Sequence, residues 1–231
     1  MKFLVATNAN IGGCRVVIER GGTISEGRLF IYDAICSYKG EPVIVKKKVL
    51  PDIEETIFRH RQRYHLPAFF LRRDMRVLDF PCGSGYGSET LGIDTIDYHG
   101  MDIDGPTIAY CKRVYSDYPN RIFWENDLTI PKLPKENFDL IACIEGIEHI
   151  EEQYQGPLIK AFYESLSQNG TLIVSSPEKT NDLNKWHKHE MTLKEFTFIL
   201  TSYFKDVQIL TYRDTLHNGT ISNCFYGVCR K

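Results

Sequence analysis

Val77-Leu78-Asp79-Phe80-Pro81-Cys82-Gly83-Ser84-Gly85-Tyr86-Gly87 is the stretch whose reading decides the fold. Met75 to Phe80 is a largely apolar run with an acid near its end, which predicts a short buried strand. It runs directly into Gly83, Gly85 and Gly87. Glycine reaches left-handed backbone angles and lets a ligand approach the main chain. Ser84 to Leu91 then predicts a helix start whose N–H groups face the turn. Strand, glycine turn and helix hold a nucleotide-like ligand at the carboxyl edge of a parallel sheet, so the expected fold class is α/β.

Working outward, Tyr98-His99-Gly100-Met101-Asp102 predicts a second strand ending in an acid. Nineteen residues separate Gly83 from Asp102, enough for one crossover helix. A carboxylate at that strand tip can accept hydrogen bonds from both hydroxyls of a ribose. Asp104 is expected to cap a helix over 105–115. Arg121 to Leu128 predicts a third strand and its exit, where Asp127 also suits a turn former ahead of Pro131 and Pro134. Phe138 to Ile144 is the most β-like run in the chain and opens into Glu145-Gly146-Ile147-Glu148-His149-Ile150. On a helical turn Glu145, Glu148 and His149 stand at i, i+3 and i+4 and share one face. A helix over 155–167 with a Gln168-Asn169-Gly170 stop, a strand over 171–175, a helix over 193–204 and late strands over 207–212 and 224–228 with His217-Asn218-Gly219 between them complete the expected order.

A dinucleotide fingerprint would place its third glycine at position 88, which is Ser88. The turn resembles instead the first motif of class I S-adenosylmethionine-dependent methyltransferases, acid-x-x-Cys-Gly-x-Gly. The resemblance covers about residues 70 to 231 and implies a Rossmann-like seven-stranded sheet with a late antiparallel hairpin. It implies S-adenosylmethionine as cofactor, with the methionine part on the Gly83 to Gly87 backbone, the ribose on Asp102 and the adenine on Asp127 and the Leu128 N–H. Asp79, Cys82, Gly83, Gly85, Tyr86, Asp102, Ile103, Asp127, Leu128 and Glu145 form the implied donor set, and Tyr64 is placed near it. E-x-x-E-H is similar to the matching motif of the ubiquinone-pathway O-methyltransferases and of the small-RNA 3′-terminal 2′-O-methyltransferases, the Hen1 family. In the latter the implied ligands of a divalent cation, Mg²⁺ or Mn²⁺, are Glu145, Glu148, His149 and His187, the last from Trp186-His187-Lys188-His189-Glu190-Met191-Thr192. Without a metal the same turn would orient a substrate, Glu145 or His149 would serve as catalytic base, and His189 and Glu190 would cap the next helix.

Net charge is −2 over 231 residues. That gives no general field for nucleic acid, so a hydroxyl of a small molecule or glycan is the favoured acceptor. RNA 2′-O-methylation is the alternative, and a non-catalytic binding module of the same fold a further one. Seven cysteines without C-x-x-C spacing argue against a disulfide framework and fit a cytoplasmic protein. No apolar run approaches the roughly 20 residues of a membrane span. The first residues read as a strand rather than a secretory signal. Residues 1–50 are expected to be a small β-rich extension to a methyltransferase domain over 51–231. Its hairpin joins Arg28–Cys36 to Pro42–Val45 through Lys39-Gly40, and Lys46-Lys47-Lys48 forms a solvated edge. Residues 52–70 predict a basic helix that Pro67 breaks or restarts.

Overall fold

The computed structural model describes residues 58–93, 95–180, 186–213 and 222–231 with their side chains. For 214, 215, 221 and the strands within 3–45 it describes the backbone alone. The expected turns at Lys39-Gly40 and His217-Asn218-Gly219, the Lys46–Lys48 edge and the helix over 52–57 lie outside the described residues.

The early strands are β1 Phe3–Val5, β2 Asn10–Ile11, β3 Cys14–Gly21, β4 Arg28–Tyr38 and β5 Glu41–Val45. They form one antiparallel sheet, and β4 and β5 pair as the expected hairpin, with Cys36 opposite Val43.

The second sheet comprises β6 Arg76–Asp79, β7 Asp97–Asp102, β8 Arg121–Glu125, β9 Phe138–Cys143, β10 Leu166–Pro177, β11 Asp206–Thr215 and β12 Ile221–Arg230. Its order is β11-β12-β10-β9-β6-β7-β8. β6 to β10 pair in parallel, and β12 enters antiparallel between β10 and β11. This is the expected seven-stranded Rossmann-like sheet with a late hairpin. The strand order reverses at β6, so ligands belong at the carboxyl ends of β6, β7 and β9.

Burial on both faces explains the unbroken apolar runs of the central strands. Along β9, Phe138, Ile141 and Cys143 pack into one buried cluster with Leu158, Phe162 and Phe196. Leu140 and Ala142 enter the opposite cluster with Val77, Tyr98 and Phe123. Each large side chain so buried contributes roughly 1.5–3 kcal/mol.

Several boundaries differ from expectation. The helix after the glycine turn, α1, is only Ser88–Leu91. Before it the chain forms successive turns, with Gly85 N–H bonded to the Cys82 carbonyl and Ser88 N–H to that of Gly85. Residues 58–62 are helical, and a second short helix, His65–Phe69, follows a turn at 63–64. The break therefore precedes Pro67, which sits in a first helical turn where its missing N–H has no partner to lose. Gln168-Asn169-Gly170 is no helix stop. The helix α2 spans Glu152–Ser165, and these residues lie within β10 at a register shift.

Candidate functional site

The glycine turn leaves β6 with Gly83 at φ +53° and Gly85 at φ +79°, angles closed to most side chains. A β-carbon at Gly83 would meet nothing within 4 Å, so the turn presents bare backbone to open space. At Gly87 it would fall 2.4 Å from both Asp79 Oδ2 and the Tyr64 ring. Asp102, fully buried at the tip of β7, accepts a hydrogen bond from Gly83 N–H at 3.0 Å and from Asp104 N–H at 3.1 Å. The two strand tips therefore meet as the 19-residue spacing required. Asp104 accepts from Thr107 N–H at 3.0 Å and caps the helix α3, Gly105–Val114. Ile103 beside it is 36% exposed, on the lip of the sheet.

Asp79 lies beneath the turn and accepts from Tyr98 Oη at 2.6 Å and Tyr64 Oη at 3.1 Å. Burial pushes its carboxyl up to about 7, although both hydroxyls favour the ionised form. Tyr64 is thus at the glycine turn, on a segment tied down further by His60 Nδ1 to Tyr86 Oη at 3.0 Å and by Arg61 to Glu89. Cys82 and Cys111 both lie 3.5 Å from the Gly83 carbonyl oxygen. Asp127 is a turn former, because its Oδ1 accepts from both Thr129 N–H and Oγ1 at 2.8 Å. Leu128 is buried.

The stretch after β9 does not form the α-helical turn expected of it. Glu145 stands at φ +50°, and the helix that follows is one 3-10 turn, Ile147–His149. Glu145 N–H donates to Ser175 Oγ at 2.9 Å, and that hydroxyl donates back to Glu145 Oε1 at 2.9 Å. Tyr212 Oη lies 3.5 Å from Oε1 and Arg63 is 3.7 Å from Oε2. Glu148 points inward, 1% exposed, and its Oε2 has no hydrogen-bond partner. Burial, with Glu145 nearby as the next cause, pushes its carboxyl well above the usual range. His149 Nδ1 is 3.2 Å from the Trp186 carbonyl, which can only accept, so Nδ1 carries a proton, and in the neutral ring Nε2 keeps its lone pair. Nε2 is 3.9 Å from Glu148 Oε1. His187 Nδ1 is 2.5 Å from the buried Glu190 carboxylate. Ligand atoms of Glu148, His149 and His187 all lie within 4.8 Å of one another.

Residues 53–211 match the methyltransferase domain family. The chain belongs to the class I S-adenosylmethionine-dependent methyltransferases. A phosphoethanolamine N-methyltransferase from Plasmodium falciparum is 30% identical over 70% of the chain and 59% of its own length. A probable S-adenosylmethionine-dependent methyltransferase from Mycolicibacterium smegmatis is 28% identical over 63% and 61%. The chain thus spans about three fifths of these relatives. Among solved structures, the N-methyltransferase NodS from Bradyrhizobium japonicum with S-adenosyl-l-homocysteine superposes with a TM-score of 0.63. It is 18% identical, over 78% of this chain and 88% of that one, a likeness of fold.

Two site expectations are corrected in this methyltransferase. Glu145 does not join the cluster of Glu148, His149 and His187. A positive φ and a 3-10 turn replace the α-helical spacing that would have aligned it, and its carboxylate turns to Ser175 and Arg63. His189 and Glu190 do not cap the next helix, α4 Leu193–Thr201. Thr192 does, through a capping box with Glu195, leaving Glu190 to His187. Other residues of the candidate site carried no motif. Tyr98 and Ser175 read only as strand residues. Gln155, whose Nε2 donates to the Ile147 and His189 carbonyls at 3.0 and 2.9 Å, ties the 147–149 turn to the 186–190 loop. Asn126 braces the loop after β8 by accepting from Lys132 N–H and donating to its carbonyl, both at 3.1 Å.

Proposed function

We propose that this methyltransferase moves the methyl group of S-adenosylmethionine to a hydroxyl of a small molecule or glycan. The observation that carries this is the Asp102 carboxylate held 3.0 Å from the Gly83 amide, beside a turn open to solvent space. The methionine part lies along Gly83 to Gly85, the ribose hydroxyls meet Asp102, and the adenine packs over Ile103 with its amino group on Asp127 Oδ2. The acceptor oxygen attacks the methyl carbon as the carbon–sulfur bond breaks, and the electron pair stays on sulfur as S-adenosylhomocysteine. The hydroxyl proton passes to His149 Nε2 or to Glu145. The protein's main task is holding the two reactants in line.

Asp79 makes the donor site testable by pH. A methionine ammonium beside it pairs with the ionised carboxylate, which free protein holds only above about pH 7. Binding therefore releases a proton, and S-adenosylhomocysteine affinity should fall about tenfold per pH unit below that point. Calorimetry from pH 5.5 to 8 in two buffers checks this. A flat profile removes Asp79 from the ammonium.

Acceptor class is tested with methyl-labelled donor, offering catechol, phosphoethanolamine and a short RNA duplex in turn. The Plasmodium relative is named for transfer to nitrogen, and a Bradyrhizobium diazoefficiens relative, a ubiquinone biosynthesis O-methyltransferase, for transfer to oxygen. Turnover on catechol insensitive to salt supports the hydroxyl reading. RNA turnover falling steeply between 50 and 200 mM salt would replace it.

A second reading, a divalent cation at Glu148, His149 and His187, is favoured by the unpartnered Glu148 Oε2. One carboxylate and two imidazoles fit a borderline or hard ion, and Glu190 would hold the His187 tautomer. Bound there, the ion would lower the acceptor hydroxyl's pKa. Titration with Mn²⁺ followed by electron spin resonance tests it, with the Glu148→Gln variant as control.

A further inference from the structure

Glu145 is the residue before Gly146, and a β-carbon on Gly146 would fall 2.2 Å from Pro81 Cδ. The end of β9 therefore presses directly on the donor turn. At that junction Glu145 occupies a left-handed conformation that is costly for a residue with a side chain. Such a conformation persists only where its surroundings enforce it, and a single hydroxyl does so here. Ser175 Oγ, fully buried in β10, accepts from the Glu145 amide and donates to the Glu145 carboxylate, both at 2.9 Å. One serine hydroxyl has one proton and two lone pairs, which suffices for both bonds. Tyr212 Oη reaches the same oxygen more distantly, at 3.5 Å. The clamp sets the backbone angle and the direction of the carboxylate together.

We infer that Ser175 is a positioning residue that fixes the Glu145 carboxylate at the point of methyl transfer, where it receives a proton-bearing nucleophile. The inference rests on the donor site proposed above, and it adds that the charge at the transfer point is set from β10 rather than from the 145–149 turn. Its mechanism is geometric. Without the hydroxyl the Glu145 amide loses its acceptor and the carboxylate loses its nearest donor. The side chain is then held only by Arg63 and Tyr212.

Sinefungin reads this without knowledge of the acceptor. It carries a primary ammonium where S-adenosylmethionine carries the methyl group, so its affinity relative to S-adenosylhomocysteine reports a carboxylate at that position. Wild-type protein should prefer sinefungin. Glu145→Gln and Ser175→Ala should each lower that preference about tenfold, a larger loss for sinefungin than for S-adenosylhomocysteine. Tyr212→Phe should lower it less. Ser176→Ala, which removes a hydroxyl bonded only within β10, should leave it unchanged. The inference is overturned if Ser175→Ala keeps the preference or weakens both ligands equally, or if Glu145→Gln keeps it. Wild-type protein that fails to bind S-adenosylhomocysteine at all overturns the donor site itself, and the inference falls with it.

Discussion

Asp102→Ala is expected to weaken S-adenosylhomocysteine binding by on the order of 100-fold or more, with little change in stability outside the turn. Two hydrogen bonds from ribose hydroxyls to a carboxylate contribute about 1.5 kcal/mol each or more, and each 1.4 kcal/mol is tenfold in affinity. The carboxylate can serve the ribose while keeping Gly83 and Asp104, because two oxygens offer about four lone-pair sites. Asp102→Asn should fall between wild type and alanine, since one acceptor oxygen survives. Calorimetric titration of the three proteins measures the order. Equal affinity in all three would leave the ribose without its proposed partner.

The second large effect separates two glycines of one turn. Gly87→Ala drives a methyl into Asp79 Oδ2 and the Tyr64 ring at 2.4 Å, inside a buried network. Backbone angles permit alanine there, because φ is −56°. The cost is therefore overpacking, about 3 kcal/mol, or roughly 10 °C in Tm for a chain of this size. Gly83→Ala meets nothing, so its stability cost is limited to about 1 kcal/mol for the positive φ. Its methyl enters the space assigned to the donor, and S-adenosylhomocysteine affinity should fall at least about tenfold. Thermal melts and titrations on both variants should show the crossed pattern. A Gly83→Ala protein that binds normally would contradict the donor's place along this turn.

The meeting of Gly83 and Asp102, on which the proposed donor half of the site stands, is legible in the sequence because it rests on spacing along regular elements. One strand, one turn and one crossover helix fix where Asp102 stands relative to Gly83, and the apolar run of β9 marks a strand covered on both faces. The other half is less legible for a physical reason. Glu145, Glu148 and His149 are spaced for an α-helical turn, but nothing local announces that Glu145 takes a positive φ. The group that imposes it, Ser175, comes from β10, 30 residues away, and Tyr212, which reaches the carboxylate alone, comes from β11, 67 residues away. Asp127 shows the same limit. Its short side chain satisfies its own turn through Thr129 with one oxygen, which leaves the other for the proposed adenine contact, a division the residue type alone does not announce. Glu190 reads as a helix cap until Thr192 and Glu195 are seen to close a capping box two residues later.

A crystal structure of the protein with S-adenosylhomocysteine tests the central claim most directly. The nucleoside should lie across the carboxyl ends of β6 and β7, with both ribose hydroxyls within hydrogen-bond distance of Asp102 and the homocysteine part along Gly83 to Gly85. A ligand bound elsewhere, with Asp102 contacting only Gly83 and Asp104, would contradict it.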